Sequence, residues 1–249
     1  GWLSEGFAEY AAARHSEQRT GTRDHIRRNH WSFLLAVDPA DGAPLVGQHH
    51  PERRFAHIYM RGSAVLEQLR ARIGPDFDAL LSTWISDFAG QIATTPEFEA
   101  HLAASAPVAA YFRRWIYNGG YPVYEVAATP ARTDNARASV EFRQIGGPRA
   151  PIELAVETFL PEGGLAHGQV EVSDGAELAF APGVRDVVID PELRTFHRAF
   201  PALPGDTNLD GLVDGLDLLE ISAHQGEQAP GPRWRDARDP NRDLRVDQA

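Results

Sequence analysis

The chain has 249 residues, of which 43% are hydrophobic and 24% are charged, so it can bury a sizeable core and form several small domains. Its formal net charge of -11 argues against a nucleic-acid partner, because binding to a phosphate backbone needs clustered positive charge. The absence of cysteine excludes disulfides and thiolate metal sites, and no apolar run is long enough to predict a membrane span.

The N-terminal part of the chain predicts helices, interrupted by one long polar segment. Residues 2–15 repeat apolar side chains at three and four positions, whereas residues 17–52 are rich in arginine and histidine and predict a surface connection. The further predicted helices cover residues 54–73, residues 77–88, a helix with Thr95 as N-cap and Pro96 at its first position, and residues 108–116. We therefore expect a mainly helical domain at residues 1–120.

The apolar period changes to two after residue 121. Ile152, Leu154 and Val156 alternate with Glu153 and Glu157, which is typical of a half-buried strand. Similar short runs lie at residues 138–145, 168–174, 176–180 and 184–190, with turn residues between them. These patterns predict a small antiparallel β-sandwich at residues 121–200, in an α+β multidomain chain.

The composition changes again at residue 204, where oxygen-bearing side chains have the spacing of a calcium-binding loop. Positions 1, 3, 5, 7, 9 and 12 of a twelve-residue loop are filled by Asp206, Asn208, Asp210, Leu212, Asp214 and Asp217, with Gly211 at position 6. Hard oxygen ligands at alternate positions suit Ca²⁺, and Leu212 would contribute its backbone carbonyl. The competing interpretation is an acidic turn without a ligand.

An Asp at position 12 that continues into a helix resembles the repeats of dockerin modules. A possible second copy has Asp239, Asn241, Asp243 and Asp247, but Leu244 stands where the loop needs glycine, and an ordinary acidic turn explains it about as well. The resemblance implies EF-hand-like, dockerin-like repeats at residues 204–249. It also implies a cohesin-like or cell-surface protein as a possible partner.

Four motifs occur in order over residues 1–125. They are WLSEGFAEY, the YMRG segment of the second predicted helix, ATTPEFEAHL and FRRWIYNGGYP. Together they resemble the thermolysin-like catalytic domain of the gluzincin aminopeptidases, the family of aminopeptidase N, and the predicted sandwich resembles the domain that follows it. The resemblance implies a zinc metallopeptidase, an aminopeptidase in particular, that hydrolyses a peptide substrate with zinc-activated water.

The resemblance also implies roles for individual residues. Glu5 matches the glutamate that binds zinc, and Gly6 would let its helix pack close to a neighbour. Tyr59 matches the catalytic tyrosine, whose hydroxyl stabilises the charge on the scissile carbonyl oxygen. Arg61 stands where the family usually has lysine, and we expect it to keep the charge and a surface position. Taken alone, Glu5 and Tyr59 would be interpreted as a solvated helix acid and a core aromatic.

The family's two zinc-binding histidines belong to an H-E-x-x-H helix about twenty residues before the glutamate, and this chain begins four residues before Glu5. We therefore expect the chain to be a fragment that carries one zinc ligand and is inactive alone. The alternative is a non-catalytic, peptidase-like scaffold with a calcium-dependent role in adhesion or assembly.

Localisation follows from two observations. All 24 basic residues are arginine, which indicates GC-rich coding and a bacterial source. Calcium binding is useful where calcium is plentiful, so we expect a protein that acts outside the cell or at its surface.

Overall fold

The computed structural model describes residues 1–47, 55–129, 138–149, 151–159, 164–173, 175–180, 186–209, 212–213 and 215–228. The chain divides into two compact units, Gly1–Gly120 and Tyr121–Ala249. Helices and two β-sheets both occur in the described residues, which confirms the α+β class. No helix in this part of the chain combines the length and the apolar character that a bilayer crossing requires.

The regular elements of the first unit in the part that the structure describes are all helices. Its elements are α1 (Trp2–Thr20), α2 (Asp24–Ala36), a π-helix (Phe55–Arg61), α3 (Gly62–Ile73), α4 (Phe77–Asp87), α5 (Thr95–Ala103) and α6 (Ala109–Trp115). Helix α3 is central, because every residue from Gly62 to Leu69 is buried. Helices α1 and α2 pack against both α3 and the π-helix, so this central segment positions the elements around it.

Helix α2 lies where we predicted a surface connection, and that prediction is wrong. The helix has no side-chain N-cap and buries two polar residues, Asn29 and His30, beside apolar ones such as Phe33 and Leu34. Polar residues on the inner face mask the apolar period that marks an amphipathic helix. Tertiary hydrogen bonds to Asn29 compensate for its burial.

Two other helix boundaries differ from the predicted ones. The helix expected at residues 54–73 begins as a seven-residue π-helix and becomes an α-helix at Gly62. The N-cap of α5 is Thr94, one residue before the predicted Thr95. Thr94 and Glu97 form a capping box, in which the Glu97 carboxylate accepts the Thr94 backbone N–H at 2.8 Å.

The second unit contains seven strands and one helix among the described residues. They are β1 (Val123–Thr129), β2 (Ala138–Gly146), β3 (Ile152–Phe159), β4 (Leu165–Val172), β5 (Ala176–Phe180), β6 (Asp186–Ile189), β7 (Arg198–Pro201) and α7 (Gly215–His224). One sheet has the order β5-β2-β1-β7 and the other β4-β3-β6. Strands β1 and β7 are additions to the predicted set.

The pairing of β1 with β7 is parallel, whereas we predicted an antiparallel arrangement throughout. The other four strand pairings in the described residues are antiparallel. On β3 the predicted alternation is confirmed, because Ile152, Leu154 and Val156 are buried and Glu153 is exposed. The inner face of the four-stranded sheet includes an edge-to-face contact between Tyr124 and Phe142, with ring centroids 5.9 Å apart.

Candidate metal centres

A close crossing of two helices underlies the candidate zinc site. A Cβ atom added to Gly6 of α1 would lie 3.0 Å from the Cα of Gly62 and 3.4 Å from the carbonyl oxygen of Ile58. Only glycine permits backbones to approach this closely, so the expected close packing at Gly6 is confirmed. Glu5 precedes Gly6, and Tyr59 follows Ile58, so the two predicted site residues flank the same contact.

The side chain of Glu5 differs from the other acids of α1 in its surroundings. Glu5 is half-buried, and among the described residues its carboxylate makes no hydrogen bond or ion pair with another side chain. Glu9 contacts His25, and Glu17 contacts Arg14. A carboxylate with no protein partner in the described part of the chain is available to a cation, and it is a ligand type that Zn²⁺ accepts.

Tyr59 lies in the π-helix, between the buried residues Ile58 and Met60. Its half-buried ring stacks on Phe55, with the ring centroids 5.4 Å apart and an interplanar angle of 26°. Phe55 is 64% exposed, so the stacked pair borders the surface of the unit. π-Helical turns within α-helices occur frequently at functional sites, because they change the direction in which side chains project.

Arg61 is buried, with 1% of its surface exposed, so the expected surface position is wrong. Its guanidinium donates to the carbonyl oxygens of Ala43, Trp115 and Asn118 at 3.0, 2.8 and 2.6 Å. It also lies over the ring of Phe33, 5.3 Å from the centroid. Burial lowers the pKa of Arg61 to about 10. The side chain therefore connects the end of the π-helix to two other segments.

A polar network that the sequence did not reveal lies one helical turn beyond Glu5. The Glu9 carboxylate accepts a hydrogen bond from Asn29 at 2.9 Å and lies 2.7 Å from the His25 ring nitrogen. Asn29 also donates to the Ser63 hydroxyl at 3.1 Å, and Ser63 donates to the Met60 carbonyl at 3.0 Å. These contacts join α1 and α2 to the junction of the π-helix with α3.

A cavity of about 460 Å³ lies on the side of the first unit that includes the start of α1. Its lining includes Trp2, Ser4, Leu45, Ile58, Thr94 and Thr95. Ser4 and Ile58 are the chain neighbours of Glu5 and Tyr59, so the cavity adjoins the glycine crossing. None of the described side chains that line it is charged.

The described residues contain no group of three or more His, Cys, Asp or Glu side chains placed to hold a metal ion. Glu5 therefore belongs to no such group of three in that part of the chain. The donor chemistry of Glu5 fits one of the three protein ligands of a catalytic zinc, and this chain alone does not supply the other two among its described residues.

Three predicted calcium ligands, at the start of the loop and at its end, are buried. Asp206, Asn208 and Asp217 are 1%, 5% and 3% exposed. The Asp217 carboxylate accepts the Thr207 backbone N–H at 2.6 Å and the Asn208 backbone N–H at 3.4 Å. The twelfth position thus contacts the second and third positions of the loop, and the oxygen donors of Asp206, Asn208 and Asp217 are of the type that Ca²⁺ binds.

The other predicted calcium ligands are less fully described. The Leu212 side chain is 45% exposed, which suits a residue that would contribute only its backbone carbonyl. Outside the described residues lie Asp210, Asp214, Asp239, Asn241, Asp243 and Asp247.

Among the solved structures that resemble this chain is the crystal structure of Legionella pneumophila aminopeptidase A in complex with aspartic acid, with a TM-score of 0.60 and 17% sequence identity. The match covers 90% of this chain and 27% of that chain, so this chain spans about a quarter of its neighbour's length. Comparison with protein-family models and with curated proteins finds no match. At this identity the likeness concerns the fold alone, and this chain has the fold of a segment of an aminopeptidase.

Proposed function

We propose that this chain is part of a gluzincin-type zinc metallopeptidase of the aminopeptidase class, in which Glu5 is one of three protein ligands to zinc. The observation that supports this most is the close approach of Gly6 to Ile58, which are the chain neighbours of the matched glutamate and the matched tyrosine. The aminopeptidase-like fold and the four ordered sequence motifs support the same reaction class. The two histidine ligands would come from residues outside this chain.

In this proposal the chain's own residues hold the site and stabilise developing charge. A zinc ion supplies Lewis acidity for peptide hydrolysis when it is bound. Glu5 would hold that ion through its carboxylate. Tyr59 would donate its hydroxyl hydrogen to the carbonyl oxygen of the scissile peptide as negative charge builds there. The glycine crossing would keep both side chains at a fixed separation, because packed backbones leave little freedom for relative movement.

The calcium loop has a separate role in the proposal. Asp206, Asn208 and Asp217 would share a Ca²⁺ ion with Leu212 and with the acids outside the described residues. The dockerin-like spacing favours a cohesin-like or cell-surface partner and a bacterial protein that acts outside the cell, where calcium is plentiful.

Replacing Tyr59 with Phe tests the catalytic part of this proposal in the polypeptide as isolated from its source. Loss of one oxyanion donor should lower kcat for an aminoacyl substrate roughly 100-fold to 1,000-fold, with bound zinc unchanged. Tyr117→Phe is the matched control, because it removes a hydroxyl of the same unit that donates to Glu99. Equal rates for the wild type and Tyr59→Phe would contradict the assignment of Tyr59. No hydrolysis by the wild type would favour the non-catalytic scaffold.

A further inference from the structure

We propose that the calcium loop secures strand β6, so that calcium occupancy controls the stability of this edge strand of the three-stranded sheet in the second unit. The inference rests on the proposed calcium role of the loop and adds a structural consequence to it. It differs from the picture of an independent C-terminal tail at residues 204–249, in which calcium would order the tail alone.

The burial of the loop's first residues supports this inference. Asp206 and Thr207 are each 1% exposed and Asn208 is 5% exposed, which are values typical of a domain core. The loop also begins only five residues after β7, which pairs with the central strand β1. The loop residues belong to the same compact unit as both sheets. The start of the loop is therefore part of the β-rich unit and not a flexible extension from it.

A short path of hydrogen bonds connects the two ends of the loop to β6. The Asn208 carbonyl oxygen accepts the backbone N–H of Val187 at 2.9 Å. Val187 is 3% exposed and lies opposite Thr158 in the pairing of β6 with β3. Asn208 is in turn adjacent to the Asp217 carboxylate through its own N–H. A change in the geometry of the loop would thus reach the edge strand of the three-stranded sheet directly.

Electrostatics makes this connection depend on a cation. Asp206 and Asp217 are nearly fully buried, and a carboxylate that is removed from water loses its hydration. Backbone N–H groups offset part of this cost at Asp217. A divalent cation with oxygen ligands offsets much more of it, and binding to the folded form alone stabilises that form. Without calcium the loop should open more often and release the Val187 N–H.

Hydrogen exchange of the wild-type chain, compared in calcium and in a calcium chelator, tests the inference. At a free calcium concentration 100 times the dissociation constant, the Val187 amide should exchange roughly 100-fold more slowly than in chelator. The Leu66 amide, in the buried helix α3 of the other unit, should exchange at the same rate in both conditions. Calorimetric titration with CaCl₂ measures binding itself.

Two variants sharpen this comparison. Asp206→Asn should weaken calcium binding and remove the calcium-dependent protection of Val187. Glu153→Gln removes one negative charge from an exposed position on β3. It should change neither calcium binding nor the calcium-dependent protection of Val187. If Asp206→Asn does not fold, the wild-type comparison in calcium and chelator still decides the matter.

The measurements distinguish failure of this inference from failure of the proposed calcium role. Calcium binding by calorimetry with no change in Val187 exchange would overturn the inference and leave the proposed calcium role intact. Absence of calcium binding would overturn both. Slower exchange at Val187 and Leu66 alike would also contradict the inference, because it would indicate a general effect of calcium on the whole chain.

Discussion

Gly6 and Gly62 meet where α1 crosses α3, and each leaves no room for a side chain on the other. A Cβ on either residue would lie 3.0 Å from the Cα of its partner. The atoms that such a Cβ meets belong to the backbone, which cannot rotate away as a flexible side chain can. The crossing therefore fixes the distance between the helices that carry Glu5 and Tyr59.

Gly6→Ala should destabilise the first unit. Overpacking against backbone lowers the free energy of unfolding by about 1 to 3 kcal/mol. The higher helix propensity of alanine offsets up to about 1 kcal/mol of this loss. We expect a net loss of about 1 to 2 kcal/mol in the free energy of unfolding, measured by urea denaturation. Gly42→Ala is the control, since its Cβ would have nothing within 4 Å. Equal stability of Gly6→Ala and the wild type would show that the helices separate without cost.

Arg61→Lys should be destabilising despite the conserved charge. A lysine ammonium cannot reproduce the planar fork that reaches the carbonyl oxygens of Ala43, Trp115 and Asn118. Hydrogen bonds from a charged donor are strong, so we expect a loss of about 2 to 3 kcal/mol in the free energy of unfolding.

Thermal and urea unfolding of Arg61→Lys measure this loss. Arg113→Lys, at an exposed position of α6, makes the same chemical change outside the core and should alter stability little. If Arg61→Lys is as stable as Arg113→Lys, the planar guanidinium of Arg61 stabilises the fold no more than a lysine ammonium does, which would contradict this prediction.

Asp190 should make the stability of the second unit depend on pH. Burial raises its pKa above the usual 3.8, while His197 and the N–H groups of Arg194 and Thr195 lower it less strongly. The folded state therefore holds this proton more tightly than the unfolded state. The resulting stabilisation is fully present below the unfolded pKa and is lost as pH rises through the folded pKa.

Asp190→Asn tests this dependence, because the amide is an uncharged isostere of the protonated acid. It loses one acceptor for the N–H groups of Arg194 and Thr195, so it should be less stable than the wild type at acidic pH. The difference should shift in favour of the variant as pH rises from about 3 to about 7. Urea denaturation across this range measures it, and a constant difference would contradict a raised pKa.

The sequence predicted elements with strong local patterns and missed those that depend on distant contacts. Strand β5 and the alternation on β3 were predicted from residues within the strands themselves. Helix α2 was missed because the polar residues Asn29 and His30 occupy its inner face, and Asn29 finds its hydrogen-bond partners on other helices. Strand β1 was missed because its burial is irregular: the adjacent residues Val123 and Tyr124 are both buried, and the small residues Ala127 and Ala128 continue no clear apolar alternation.

The site residues likewise include one whose packing the sequence predicted correctly and one whose burial it did not. Glu5, Gly6 and Tyr59 were singled out by short motifs, and in the structure Gly6, which follows Glu5, packs closely against Gly62 and Ile58, which precedes Tyr59. The burial of Arg61 could not be predicted, because the carbonyl groups that surround it come from residues up to 57 positions away. A charged residue at the end of an amphipathic helix is usually exposed, and only the tertiary structure supplies the acceptors that allow burial.

The zinc content of the polypeptide as isolated from its source tests the central proposal most directly. Elemental analysis of the wild type should give about one zinc per chain, as a catalytic site with three protein ligands requires. Glu5→Ala should lose most of that zinc, whereas Glu17→Gln, which changes an acid on the same helix, should retain it. Zinc content in Glu5→Ala equal to that of the wild type, or no zinc in the wild type, would contradict the assignment of Glu5 as a zinc ligand.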